Sequence, residues 1–151
     1  MTGFKRPIFA GIILLFSTVI LAVPGDSTAK ERADADVIAV EAVENASGDW
    51  TFHVTVAHPD TGWDDYCNGW DIVTDQGQVL KQNASDPFTR LLHHPHEVEQ
   101  PFTRSQSGLH VPENVNILTV RAHDIVQGFG GQEIVMNLAS GSGPGYRVTR
   151  N

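Results

Sequence analysis

Within Asp49–His58, Trp50, Phe52, Val54 and Val56 alternate with Thr51, His53, Thr55 and Ala57. A two-residue period scatters apolar groups around a helix but gathers them on one face of an extended strand. This segment is therefore a half-buried β-strand. The rest of the chain falls into similar short runs rich in Val, Ile, Thr, Phe and Trp, divided by turn residues. Val37–Glu44 precedes the first strand across Asn45-Ala46-Ser47-Gly48-Asp49, a hairpin in the making. Trp70–Thr74 meets Gln78–Lys81 across Asp75-Gln76-Gly77. After a less regular stretch at 82–98, strands are expected near Glu99–Ser107, over Val115–Asp124 and over Gln132–Leu138. Leu118, Val120 and Ala122 share the inner face of the second of these, and Ile134, Met136 and Leu138 that of the third.

About seven strands at this spacing predict an all-β domain over 36–138, an immunoglobulin-like or fibronectin-like β-sandwich. The Gly/Ser/Pro-rich end at 139–151 reads as a flexible tail, and the charged residues 30–35 as a frayed N-terminus. No second domain or internal repeat is evident.

Ahead of the domain, Lys5 and Arg6 precede an apolar run from Ile8 to Val23 and the small, turn-prone stretch Pro24–Ala29. That is the layout of a secretory signal. The run is 16 residues long, short of the roughly 20 that span a bilayer. Residues 1–29 are expected to be a signal peptide cut after Ala29, with cleavage after Gly25 or Ala22 and an uncleaved anchor as alternatives. The product would be secreted or periplasmic, with no membrane attachment after cleavage.

The whole chain carries a net charge of −8, and loss of 1–29 removes Lys5, Arg6 and Asp26, leaving it more acidic. Such a surface repels nucleic acid and anionic lipid. The single cysteine, Cys67, excludes an internal disulfide. Burial in the core is its ordinary fate.

Chemistry concentrates at Leu92-His93-His94-Pro95-His96-Glu97-Val98-Glu99. In an extended segment His94 and His96 lie on one side, where two imidazoles can share Cu²⁺ or Zn²⁺. Glu97, Glu99, His123 or a water would complete the shell. The bland alternative is a polar loop whose histidines face solvent. Asp60, Asp64 and Asp65, with Asn68 and Asp71, raise calcium, but their spacing does not match an EF-hand loop. Trp63, Asp64, Tyr66 and Arg104 form a second candidate binding set. Trp63 and Tyr66 offer an aromatic surface, whereas Trp70 reads as core. Arg104 suits an anion, or an ion pair with Asp64 or Asp124. There is no Gly-x-Ser-x-Gly elbow, and Gly128–Gly131 lacks the third glycine of a dinucleotide loop.

Gly62-Trp63-Asp64-Asp65-Tyr66 and His94-Pro95-His96-Glu97-Val98-Glu99-Gln100-Pro101-Phe102-Thr103-Arg104-Ser105, with Arg121–Asp124 and the 128–131 turn, resemble a family of small exported bacterial proteins. The resemblance covers roughly 36–138 and implies a sandwich with no established activity. The chain departs from that pattern at Asp65, where the family often has histidine, and at Phe129, where it often has tryptophan. The expected function is an exported, non-catalytic binding module holding a transition metal through its His-Pro-His cluster. The alternative is a structural or protein-interaction sandwich.

Overall fold

A computed structural model describes residues 2–3 and 34–151. The expected signal peptide, with residues 30–33, lies outside the described residues that bear on the fold. Ten strands follow one another: β1 Asp36–Glu44, β2 Trp50–Ala57, β3 Cys67–Thr74, β4 Arg90–Leu91, β5 Phe102–Leu109, β6 Ile117–Asp124, β7 Gly128–Phe129, β8 Ile134–Asn137, β9 Ser142–Gly143 and β10 Tyr146–Arg150. No helix occurs among the described residues. The strands form two sheets, one in the order β5-β2-β1-β10-β9 and the other β4-β3-β6-β7, with β8 also paired to β6.

The alternation of β2 is realised as expected: Trp50, Phe52, Val54 and Val56 are buried, and the residues between them are half-buried. Opposite them Leu118, Val120 and Ala122 of β6 and Ile72 of β3 turn inward, so that both sheets face one apolar core. Trp70 belongs to that core and is fully buried. Between β1 and β2, the Asn45 side chain accepts hydrogen bonds from the Ser47 and Asp49 amides, both at 3.0 Å. Gly48 closes this turn with φ +86°, a left-handed conformation that costs glycine little. The Gln78–Lys81 strand reduces to one bridge, Val73 to Val79, with Leu80 donating to Ile72.

Two expectations need correction. The 139–151 segment is no flexible tail. It supplies β9 and β10, and β10 runs parallel to β1 from Tyr146 beside Val40 to Arg150 beside Glu44. Tyr146 and Val148 pack on the core, and Arg147 and Arg150 pair with Glu41 and Glu44. Composition hid this, because glycine and serine serve the turns while the alternating Tyr-Arg-Val-Thr-Arg makes the strand. Nor is the chain frayed at residue 35, since Ala35 is fully buried. A Cβ on Gly131 would lie 2.2 Å from the Ala35 carbonyl oxygen. Only glycine lets the 128–131 turn press so closely on the entry to β1.

Register brings one set of strand ends together. Asp36 pairs with Ala57, Val56 with Phe102, and Cys67 with Asp124. The start of β1, the loop 58–66, the loop before β5 and the turn after β6 therefore share one end of the domain.

Candidate metal centre

His58 continues the inward phase of β2, two residues beyond Val56, and its side chain is only 1 % exposed. An imidazole on the core side must find polar partners or pay the desolvation of both nitrogens. It finds them among carboxylates. Nδ1 lies 2.6 Å from Asp60 Oδ1. Nε2 faces Asp34 Oδ1 at 3.0 Å, Asp124 Oδ2 at 3.8 Å and Asp65 Oδ1 at 3.8 Å.

Asp60 is fully buried and anchors the arrangement. Its Oδ1 also accepts from the Cys67 amide at 3.1 Å, and its Oδ2 from the His96 amide at 2.6 Å. The start of β3, the end of β2 and the loop before β5 are thereby tied to one carboxylate. Asp124 reaches the site by the same logic as His58. It extends the inward phase of Leu118, Val120 and Ala122, and its side chain is 1 % exposed. Its Oδ1 accepts from the Val126 amide at 2.6 Å, with Gln127 at 3.3 Å, while Oδ2 is the oxygen turned toward His58.

Ligand atoms of Asp34, His58 and Asp124 lie within 4.8 Å of one another. Zn²⁺ binds imidazole and carboxylate at about 2.0–2.2 Å, so two ligand atoms on one ion are at most about 4.4 Å apart. A small inward movement closes the set, and Asp34, with half its side chain in solvent, is free to make it. A carboxylate on the far ring nitrogen is the usual support of a metal-bound histidine, fixing tautomer and orientation. Asp60 occupies that position. Asp65 Oδ1, 3.8 Å from His58 Nε2, is a further potential oxygen ligand.

Of the four residues expected to make a metal site, His94 and His96 lie ring to ring, while Glu99 and His123 are engaged by other partners. His94 is exposed, its Nδ1 2.9 Å from the Pro95 carbonyl. His96 is buried, stacked on Phe102 at 3.9 Å and 4.7 Å from the His94 ring. Burial, then the nearby Arg104 and His94 charges, push its pKa below the ordinary histidine value. Glu99 is engaged by Arg104 at 2.8 Å, and that hydrogen bond holds its carboxyl below the usual range. His123 stands apart on β6, hydrogen-bonded to Asn68 at 2.6 Å between Phe88 and Phe129; burial lowers its pKa too. Among the described residues only Asp34, His58 and Asp124 gather three potential ligands.

Of the other candidate set, Trp63, Asp64 and Tyr66 share one loop, and Arg104 is committed elsewhere. Arg104 pairs with Glu99 rather than with Asp64 or Asp124, because Glu99 lies just ahead of its own strand. Trp63 is 66 % exposed and packs edge-on against Tyr66 at 5.9 Å, with Asp64 exposed beside it. Cys67 is buried and free, and burial pushes its thiol up to about 12. It is an inert core residue rather than a thiolate ligand.

No protein-family model and no solved structure matches the chain. It is similar to a protein of Halomicrobium mukohataei named "Putative lipoprotein", with 38 % identity over 91 residues. The match covers 60 % of this chain and 41 % of that protein, so the chain corresponds to less than half of its relative's length.

Proposed function

We propose that the chain is an exported, non-catalytic module that binds a divalent transition-metal ion, Zn²⁺ in the first instance, through Asp34, His58 and Asp124. The observation that carries this reading is the buried His58 imidazole, with Asp60 holding Nδ1 and carboxylate oxygens of Asp34, Asp124 and Asp65 facing Nε2. One imidazole among carboxylates suits Zn²⁺ better than copper. Access is through Asp34 and Asp65, while His58 and Asp124 are almost wholly shielded. That enclosure favours holding an ion over presenting it to a substrate.

Two features support export: the Lys5-Arg6 start with its apolar run, and similarity to a protein named as a lipoprotein. The sole cysteine of this chain is the buried Cys67, which does not suit a lipid attachment point.

Calorimetric titration of untagged, chelator-treated protein with Zn²⁺ tests the reading. Asp34→Asn removes a ligand without disturbing the core and should weaken binding about 10-fold or more, on the scale of altered metal shells. His94→Ala/His96→Ala should bind as the native protein does. Equal binding by Asp34→Asn, or loss confined to the histidine double variant, would return the site to the His-Pro-His segment.

A further inference from the structure

We infer that the loops carrying Trp63, Val98, Ile125 and Val126 form a docking surface for a protein partner that presents an apolar pocket rimmed by lysine and arginine. This goes beyond the metal reading and stands without it. These side chains are 66, 100, 42 and 60 % exposed, and all four lie at the loop end of the domain. Among the described residues the other large exposed apolar ones, Ile38 and Val135, are strand residues.

The three loops adjoin one another. A Cβ on Gly62 would lie 3.9 Å from Glu97 Oε1, which sets the Trp63 turn against the turn bearing Val98. On the other side the Ile125 amide donates to the Tyr66 carbonyl at 3.1 Å, joining the same loop to Ile125 and Val126. The Trp63 loop thus borders the turn carrying Val98 and the turn carrying Ile125 and Val126. It does not dangle: Asp65 donates to the Gly62 carbonyl at 3.2 Å and Thr61 to the Asp65 carbonyl at 3.0 Å, closing a tight turn with Trp63 at its tip. Gly62, at φ +138°, makes the turn possible.

An exposed tryptophan held at the tip of a closed turn, on a loop whose neighbours carry smaller exposed apolar groups, has features of an interface hot spot. Polar rims select partners by charge. Here the rim is acidic, with Asp64 and Glu97 exposed and Asp34 and Asp65 partly so, while the nearby Arg104 is already committed to Glu99. A basic protein surface complements this rim, and an anionic bilayer does not.

Trp50 and Trp70 are 3 and 0 % exposed, so acrylamide quenching reports on Trp63 alone. The probes are an amphipathic Leu/Lys peptide and a Gly/Lys peptide of equal charge and length. The Leu/Lys peptide should shield Trp63 from the quencher and bind about tenfold tighter or better, as an engaged hot spot requires. Val98→Ser/Val126→Ser should erase that preference at unchanged melting temperature. Equal binding of the two peptides, or an unaltered preference in the double variant, would overturn the inference and leave charge attraction alone. Sedimentation with phosphatidylcholine vesicles together with a blue-shifted Trp63 would also overturn it, in favour of lipid.

Discussion

Asp60→Asn is nearly isosteric, yet the geometry makes it costly even without metal. The carboxylate accepts three N–H groups, His58 Nδ1 and the Cys67 amide on Oδ1 and the His96 amide on Oδ2. An asparagine has one acceptor oxygen and one donor NH₂. With its oxygen toward His58 and Cys67, the NH₂ meets the His96 amide; flipped, it meets the Cys67 amide and His58. In either pose at least one buried donor loses a charged acceptor and faces another donor. Hydrogen bonds to charged groups contribute about 1.5–3 kcal/mol, and a buried unsatisfied donor costs about 1–3 kcal/mol. The two figures overlap, which puts the loss near 3 kcal/mol. For a domain of this size that corresponds to roughly 10–15 °C in melting temperature. Urea denaturation of metal-free protein measures it, with Asp65→Asn as the control expected to stay within about 0.5 kcal/mol. A loss below about 1 kcal/mol for Asp60→Asn, at the resolution of such series, would refute the three-acceptor reading.

Trp50→Ala should cost about 3–5 kcal/mol by emptying a core position, whereas Trp63→Ala should be almost neutral; denaturation midpoints compare them directly. Burial lowers the pKa of His96 and of His123. The unfolded chain therefore takes up their protons first as the medium is acidified. Stability should be complete above about pH 6.5 and fall below it, by at most about 1.4 kcal/mol per pH unit for each histidine, and His123→Gln should make the fall shallower. Cys67 should react with a thiol reagent only as the protein unfolds, so that its labelling rate follows the urea transition. Deleting 139–151 should lower the melting temperature sharply, because β1 then loses β10 along Val40–Glu44.

Much of the fold was legible because the strand signal is local. The inward faces of β2, β6 and β8 follow from alternation alone, and Trp50, Leu118 and Met136 are buried where that pattern places them. What alternation does not carry is partner choice. β10 lies more than a hundred residues beyond its neighbour β1, and its short Tyr-Arg-Val-Thr-Arg run is set among turn-forming residues. Its stability comes from pairing with β1 and from the ion pairs of Arg147 and Arg150 with Glu41 and Glu44. Arg104 shows the same limit at the level of a side chain. Chemistry announces that it wants a carboxylate, but only the loop path decides that Glu99 supplies it.

The Asp34, His58 and Asp124 cluster is hidden from a reading of histidine density and visible to a reading of phase. Three histidines within four residues draw attention to 93–96, and His94 and His96 do lie ring to ring at 4.7 Å, but His94 is exposed and His96 is stacked on Phe102, with no third ligand gathered beside them among the described residues. A stronger signal lay in the alternation itself. Positions 50, 52, 54 and 56 define the core side of β2, and position 58 is histidine. Positions 118, 120 and 122 define the core side of β6, and position 124 is aspartate. A polar side chain that continues an apolar phase past a strand end is drawn toward the interior, where it is stable only if hydrogen-bonded or paired. Two such residues, on strands whose ends abut, come to face each other, with Asp124 Oδ2 3.8 Å from His58 Nε2. Asp60 supplies a further partner to His58, returning two residues later to face its Nδ1. Asp34 alone has no precursor in the pattern, because it lies ahead of β1, outside any strand whose alternation could place it.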